Sequence, residues 1–114
     1  MKIGDSIIFL SDENPNMGPF QAKSPQTLEG TGSSLHLYVG DVDKAFQRAI
    51  DAGGKALMAV TDMFWGDRFG SLIDPYGHTW GLSTRTRDLT EQETDEGAKT
   101  FYAQVALLAQ KKSA

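Results

Sequence analysis

Phe64–Thr84 reads F-W-G-D-R-F-G-S-L-I-D-P-Y-G-H-T-W-G-L-S-T, and its two halves meet at Asp74-Pro75-Tyr76-Gly77. Proline presets φ and glycine accepts a positive φ, so this tetrad is a strong turn signal with apolar residues on both sides of it. The pattern predicts a β-hairpin, with Arg68–Ile73 as its first strand and His78–Thr84 as its second. Both tryptophans of the chain fall in this stretch.

Upstream, Leu35–Val39 alternates: Leu35, Leu37 and Val39 share one face, and Ser34, His36 and Tyr38 share the other. Asp41 reads as an N-cap for a helix carrying Val42, Ala45, Phe46, Ala49 and Ile50 at helical spacing, and Gly53-Gly54 ends it. Lys55–Val60 is a strand, and Asp62–Asp67 is a loop into the hairpin. The order strand, helix, strand, strand, strand implies a small mixed sheet with helices on one face. Nearer the start, Ile7-Ile8-Phe9-Leu10 makes Asp5–Leu10 a short strand expected to be buried. Asn14–Ser34, rich in Pro and Gly, is expected to be a loop, with Met17 and Phe20 either covering a pocket or packing outside the sheet. Downstream, Thr90-Glu91-Gln92-Glu93 matches a capping box. It opens a helix whose apolar stripe is Ala98, Phe101, Tyr102, Val105, Leu108 and Ala109, with Lys111 and Lys112 at its negative end. That stripe docks either on its own domain or on a second subunit.

The chain has 114 residues, 39% hydrophobic and 23% charged, which suits one globular domain spanning 1–114. A net charge of −4 provides no basic footprint, so no nucleic-acid partner is expected. The absence of cysteine excludes disulfides, thiolate metal sites and cysteine nucleophiles. No stretch approaches the ~18 apolar residues of a membrane span and no signal-like run opens the chain. A cytoplasmic protein without a membrane partner is the expectation.

The strand L-H-L-Y-V, the helix G-D-V-D-K-A-F-Q-R-A-I-D-A-G-G and the signature F-W-G-D-R-F-G-S-L-I-D-P-Y-G-H-T-W together resemble the PhnB-like branch of the glyoxalase/bleomycin-resistance (vicinal oxygen chelate) superfamily. The resemblance runs from about Lys2 to Leu89. It implies an α+β fold with one complete βαβββ module (34–84), an extra N-terminal strand left from a preceding module (2–10), a curved mixed sheet and a C-terminal amphipathic helix (90–112). Most of the first module is then missing. A half-barrel leaves a sheet face and strand edges uncovered, so a homodimer with its pocket at or beside the interface is expected.

In metal-dependent members, the ligand positions fall on Ser34 and Gly81 of this chain, and neither is an ordinary ligand. No metal and no cofactor is therefore expected, although His36, on the same face as Ser34, leaves a shifted site conceivable. Under the resemblance Thr79, Gly81 and Ser83 face the cavity, while His78, Trp80 and Leu82 face the helix. The ligand-binding candidates are Ser34, His36, Tyr38, Trp65, Arg68, Thr79 and Ser83. Trp65 and Arg68 pair a stacking surface with a cation suited to an aromatic or anionic small molecule, or else an Asp67–Arg68 arrangement merely pins the loop, with Asp12 or Glu13 nearby. His36 is the candidate catalytic base, its bland alternative being a histidine hydrogen-bonded to a neighbouring strand.

Three functions remain open on the sequence. The leading one is a non-metal small-molecule-binding dimer. The second is a lyase, isomerase or dioxygenase of the same superfamily, and the third a non-catalytic dimerisation module. Whether the protein is an enzyme is undecided at this point.

Overall fold

The computed structural model describes residues 1–14 and 16–113, with side chains described as far as Leu108 in the last helix. In chain order the elements are β1 (Lys2–Ile3), β2 (Ser6–Ile7), α1 (Pro25–Leu28), β3 (Ser34–Tyr38), α2 (Val42–Asp51), β4 (Lys55–Asp62), β5 (Asp67–Ile73), β6 (Thr79–Arg85) and α3 (Glu91–Ser113).

The predicted βαβββ order is present, in an α+β fold. The main sheet has the strand order β3-β6-β5-β4. β3 runs parallel to β6, α2 carrying the chain across the sheet from β3 to the far edge strand β4, and the other pairs are antiparallel. The hairpin turn closes where expected. Asp74 Oδ1 accepts the backbone N–H groups of Tyr76 (2.9 Å) and His78 (3.0 Å), and Gly77 supplies a φ of 93°.

One face of this sheet is covered by α2. Its N-cap is Asp41, whose side chain accepts the Lys44 N–H. Val42, Leu72 and Leu82 form the buried centre, with Leu37, Phe46 and Trp80 packed around it. A Cβ on Gly70 would lie 2.9 Å from Val60 and 3.0 Å from Phe46, so the helix sits almost directly on strand backbone. The helix start is tied to β6 by Thr84, whose hydroxyl accepts the Val42 N–H at 2.9 Å and donates to the Val39 carbonyl at 2.8 Å.

Three expectations need correction. First, Asp5–Leu10 is not a buried strand of the main sheet: β1 and β2 pair with each other around Gly4, and Phe9 is 93% exposed. An apolar run specifies what a strand would bury, but α2 already fills one sheet face and the run is not laid on the other. Second, the sheet is open and uncurled rather than wrapped round a cavity, because among the described residues no second sheet packs on it. Third, Asn14–Ser34 is more ordered than a loop. A 3-10 turn (Gly18–Phe20) is followed by α1, with Ser24 as its cap. Glu13 accepts the Ser24 N–H at 2.9 Å and the Thr27 hydroxyl at 2.7 Å, and Gln26 Nε2 donates to the Pro75 carbonyl at 2.9 Å. The segment is thereby strapped to the hairpin turn, while Met17 and Phe20 stay exposed and cover nothing.

α3 starts at its capping box. Thr90 Oγ1 accepts the Glu93 N–H (3.1 Å), and the Glu93 carboxylate accepts the Thr90 N–H (3.3 Å). Its first turns dock on Phe64, whose ring lies 5.3 Å from that of Phe101. Val105 and Leu108 further along are exposed. The side chains of Ala109, Lys111 and Lys112 lie outside the described residues. No helix among the described residues is long and apolar enough to cross a membrane.

Candidate functional site

Side chains alternate along each strand, so the register defines what shares the sheet face opposite α2. Ser34, His36 and Tyr38 of β3 stand opposite Thr79, Gly81 and Ser83 of β6. On the other side of β6, Phe69 of β5 opposes Ser83, and Asp67 opposes Arg85.

The centre of this open face is a set of stacked rings and buried polar bonds. His36 Nε2 and Ser83 Oγ share a hydrogen bond of 2.8 Å. The His36 ring stacks on Phe69 at 5.6 Å and 21°, and lies 5.2 Å from the Tyr38 ring. Beside them, the Asp67 side chain is only 1% exposed. Its Oδ2 accepts the Tyr38 hydroxyl at 2.6 Å and the Trp65 indole N–H at 3.0 Å, and its Oδ1 is buried without a partner. The bond to Asp67, together with desolvation and the carboxylate's charge, raises the Tyr38 pKa above that of a free phenol. Arg85, the cross-strand partner of Asp67, pulls it the other way.

The loop that presents Trp65 is locally fixed. Gly66 has a φ of 95°, and its carbonyl accepts the N–H groups of Thr86 (2.9 Å) and Arg87 (3.0 Å). Trp65 meets Phe64 edge-on at 4.9 Å and Phe69 at 6.0 Å.

His36, Tyr38, Trp65 and Ser83 are thus brought together. Ser34 and Thr79 pair with each other at the far end of the same face. Arg68 is not part of the group. Its guanidinium bonds both oxygens of Asp43, a residue of α2, at 2.9 and 3.0 Å, and lies 3.4 Å from Asp62. Arg68 is one residue from Asp67, so strand alternation sends it to the helix side, where it holds the Asp43 carboxyl below its ordinary pKa. The cation on the open face is Arg85. Asp67, Phe69 and Arg85 were missed by sequence reading, yet carrying the alternation used for β6 across the hairpin would have found all three.

His36 adopts the arrangement of a histidine bonded to a neighbouring strand, and its partner Ser83 is fully buried. Trp80, assigned to the helix side, donates its indole N–H to Asp74 Oδ2 at 2.9 Å. A cleft of about 910 Å³ also runs between the N-terminal segment and the hairpin turn, lined by Leu10, Leu35, Tyr76 and Trp80 among others.

The donor set does not fit a divalent metal at the positions that the resemblance indicates. Ser34 offers a neutral hydroxyl, and Gly81 has no side chain. A Cβ on Gly81 would lie 2.9 Å from the Phe69 ring and 3.2 Å from His36 Nδ1. Among the described residues, no three His, Asp or Glu side chains come together in a way that could hold an ion.

A βαβββ sheet with one helix-covered face and one polar, aromatic face defines a module of small-molecule-binding type. The chain belongs to the Glyoxalase/Bleomycin resistance protein/Dioxygenase superfamily, whose family model matches residues 8–82. It is 39% identical over 93 residues to uncharacterized proteins of Mycobacterium bovis and Mycobacterium tuberculosis, a stretch covering 82% of this chain. The chain spans 61% of the first relative's length and 55% of the second's. A crystal structure of TioX from Micromonospora sp. ML1 is similar over 49% of this chain and 47% of its own, at 29% identity and a TM-score of 0.41.

Proposed function

We propose that this chain is a non-metal, small-molecule-binding protein of the PhnB-like kind that holds an aromatic or anionic ligand on the open sheet face. The observation that carries this reading is the buried Asp67 carboxylate, which fixes Tyr38 and Trp65 beside the His36–Phe69 stack. An indole held by a buried hydrogen bond beside the His36–Phe69 stack makes a pre-formed stacking surface that loses little freedom when a ligand arrives. Arg85 supplies the charge for an anionic group in place of Arg68. Ser34 and Thr79 form the polar far edge.

In this reading residues 1–114 make one unit whose complete module is 34–84, and whose open face is covered by a second module in a homodimer. The exposed Ile7, Phe9 and Leu10 are consistent with such a cover. The test is size-exclusion chromatography with light scattering, followed by a thermal-shift screen of aromatic acids on wild type and Trp65→Ala. A dimer stabilised by such acids only when Trp65 is present is expected. A monomer overturns the shared pocket, and shifts that persist unchanged in Trp65→Ala move the site elsewhere.

A further inference from the structure

Asp67 carries more hydrogen-bonding capacity than the chain uses. Oδ2 accepts two donors, whereas Oδ1 is buried with none. A buried carboxylate oxygen without a partner is costly, and such an oxygen in a ligand-facing position favours whatever molecule brings a donor to it. Candidates within the chain are otherwise engaged. Arg85, the cross-strand partner of Asp67, bonds Asp88 at 3.2 Å, and Arg87 donates to the Met63 carbonyl at 3.2 Å.

Resting on the reading that the open face is the ligand site, we infer that the ligand carries an ammonium-type N–H donor next to its aromatic ring, and that Asp67 Oδ1 receives it. A charged donor is favoured over a neutral one because charge-assisted bonds to a buried carboxylate are the stronger kind. Oδ1 is enclosed, so the donor reaches it as the exposed Tyr38 swings aside while Trp65 stays in place. The ligand's ring then stacks on Phe69 and His36, and tryptophan emission reports the displacement. Arg85 stands opposite Asp67 and two residues beyond Ser83, the partner of Tyr38, so on exchanging the exposed Asp88 for a ligand carboxylate it serves the same molecule, which makes a zwitterionic aromatic molecule the best match.

The test uses the full chain and three probes of similar size: phenethylamine, 3-phenylpropionate and phenylalanine. Affinity is measured by calorimetry and by tryptophan emission in a Trp80→Phe background. Phenethylamine is expected to bind at least about tenfold more tightly than 3-phenylpropionate, and phenylalanine at least as tightly as phenethylamine. In Asp67→Asn the amine's advantage falls to within about twofold. Should that variant fail to fold, Tyr38→Phe serves instead, because it strips a donor from Oδ2 and so raises the amine's advantage. If 3-phenylpropionate binds as well as phenethylamine, and neither variant alters the ratio, the donor inference is overturned while the open face stands as a site served by Arg85. If no probe binds or perturbs emission, the reading of this face as the ligand site falls too.

Discussion

The two faces of the four-stranded sheet solve the same problem in opposite ways. Towards α2, Val42, Leu72 and Leu82 are closed over by apolar neighbours from the helix and the strands beneath it, and Thr84 serves the backbone there, bonding Val39 and Val42. On the other side, burial is local and polar. Ser83 and Asp67 are almost fully enclosed, but by rings that are themselves partly open, and Tyr38 is 63% exposed. The first face stabilises the fold; the second is the one on which the proposed ligand would rest. Burial alone does not separate them, but the chemistry of what is buried does.

Adjacent residues on β6 give the sharpest test, because Leu82 and Ser83 point to opposite faces. Leu82→Ala is expected to lower stability by about 2–5 kcal/mol, a cavity in a closed core, in a urea titration followed by circular dichroism. Ser83→Ala, which removes only the bond to His36, is expected to lower it by about 0.5–1.5 kcal/mol. If the two costs were equal, the open face would be a second core and the contrast would break.

Next in size, Gly81→Ala is expected to destabilise by about 1–3 kcal/mol, because its Cβ must move the Phe69 and His36 rings. In Phe69→Ala the same substitution should cost less, with only the His36 contact left, which a double-mutant cycle would show.

A smaller effect tests the hairpin that joins both faces. Burial pushes the Asp74 pKa up, but the bonds from Trp80, His78 and Tyr76 outweigh it and hold the group below its ordinary value. A depressed folded pKa means that the stabilisation is present above the unfolded value and is lost as pH falls through the folded one. Trp80 emission, read in a Trp65→Phe background, is therefore expected to change only on the acid side of the ordinary carboxylate range, and Asp74→Asn should abolish that transition. A transition at higher pH would show that the bonds to Asp74 do not hold in solution. The smallest effect is expected from Arg68→Ala: its partners are exposed carboxylates on the helix side, so aromatic-ligand affinity should stay within about twofold of wild type.

Much of this was legible in residue order. The Asp74–Gly77 turn, the Asp41 cap, the helical spacing from Val42 to Ile50 and the Thr90–Glu93 box are local signals, and each appears where it was read. The strand parity that put His36, Tyr38 and Ser83 together also held. Arg68 was misplaced although it was read as the first residue of its strand: the alternation read on β6 was not carried across the hairpin, where Arg68 pairs with Thr84 on the helix side. Ile7–Leu10 failed for another reason: an apolar run states a requirement, and whether a surface exists to meet it is a property of the whole fold.

Gly81 also constrains how this protein could change over time. A relative that binds metal would carry a carboxylate at that position, but here its first carbon would meet the Phe69 and His36 rings. The route between the two kinds of site therefore has a direction. Trimming Phe69 before Gly81→Glu leaves only His36 to shift, whereas the reverse order overpacks against both rings, so that a chain with both rings in place is held on its side of the divide by its own packing.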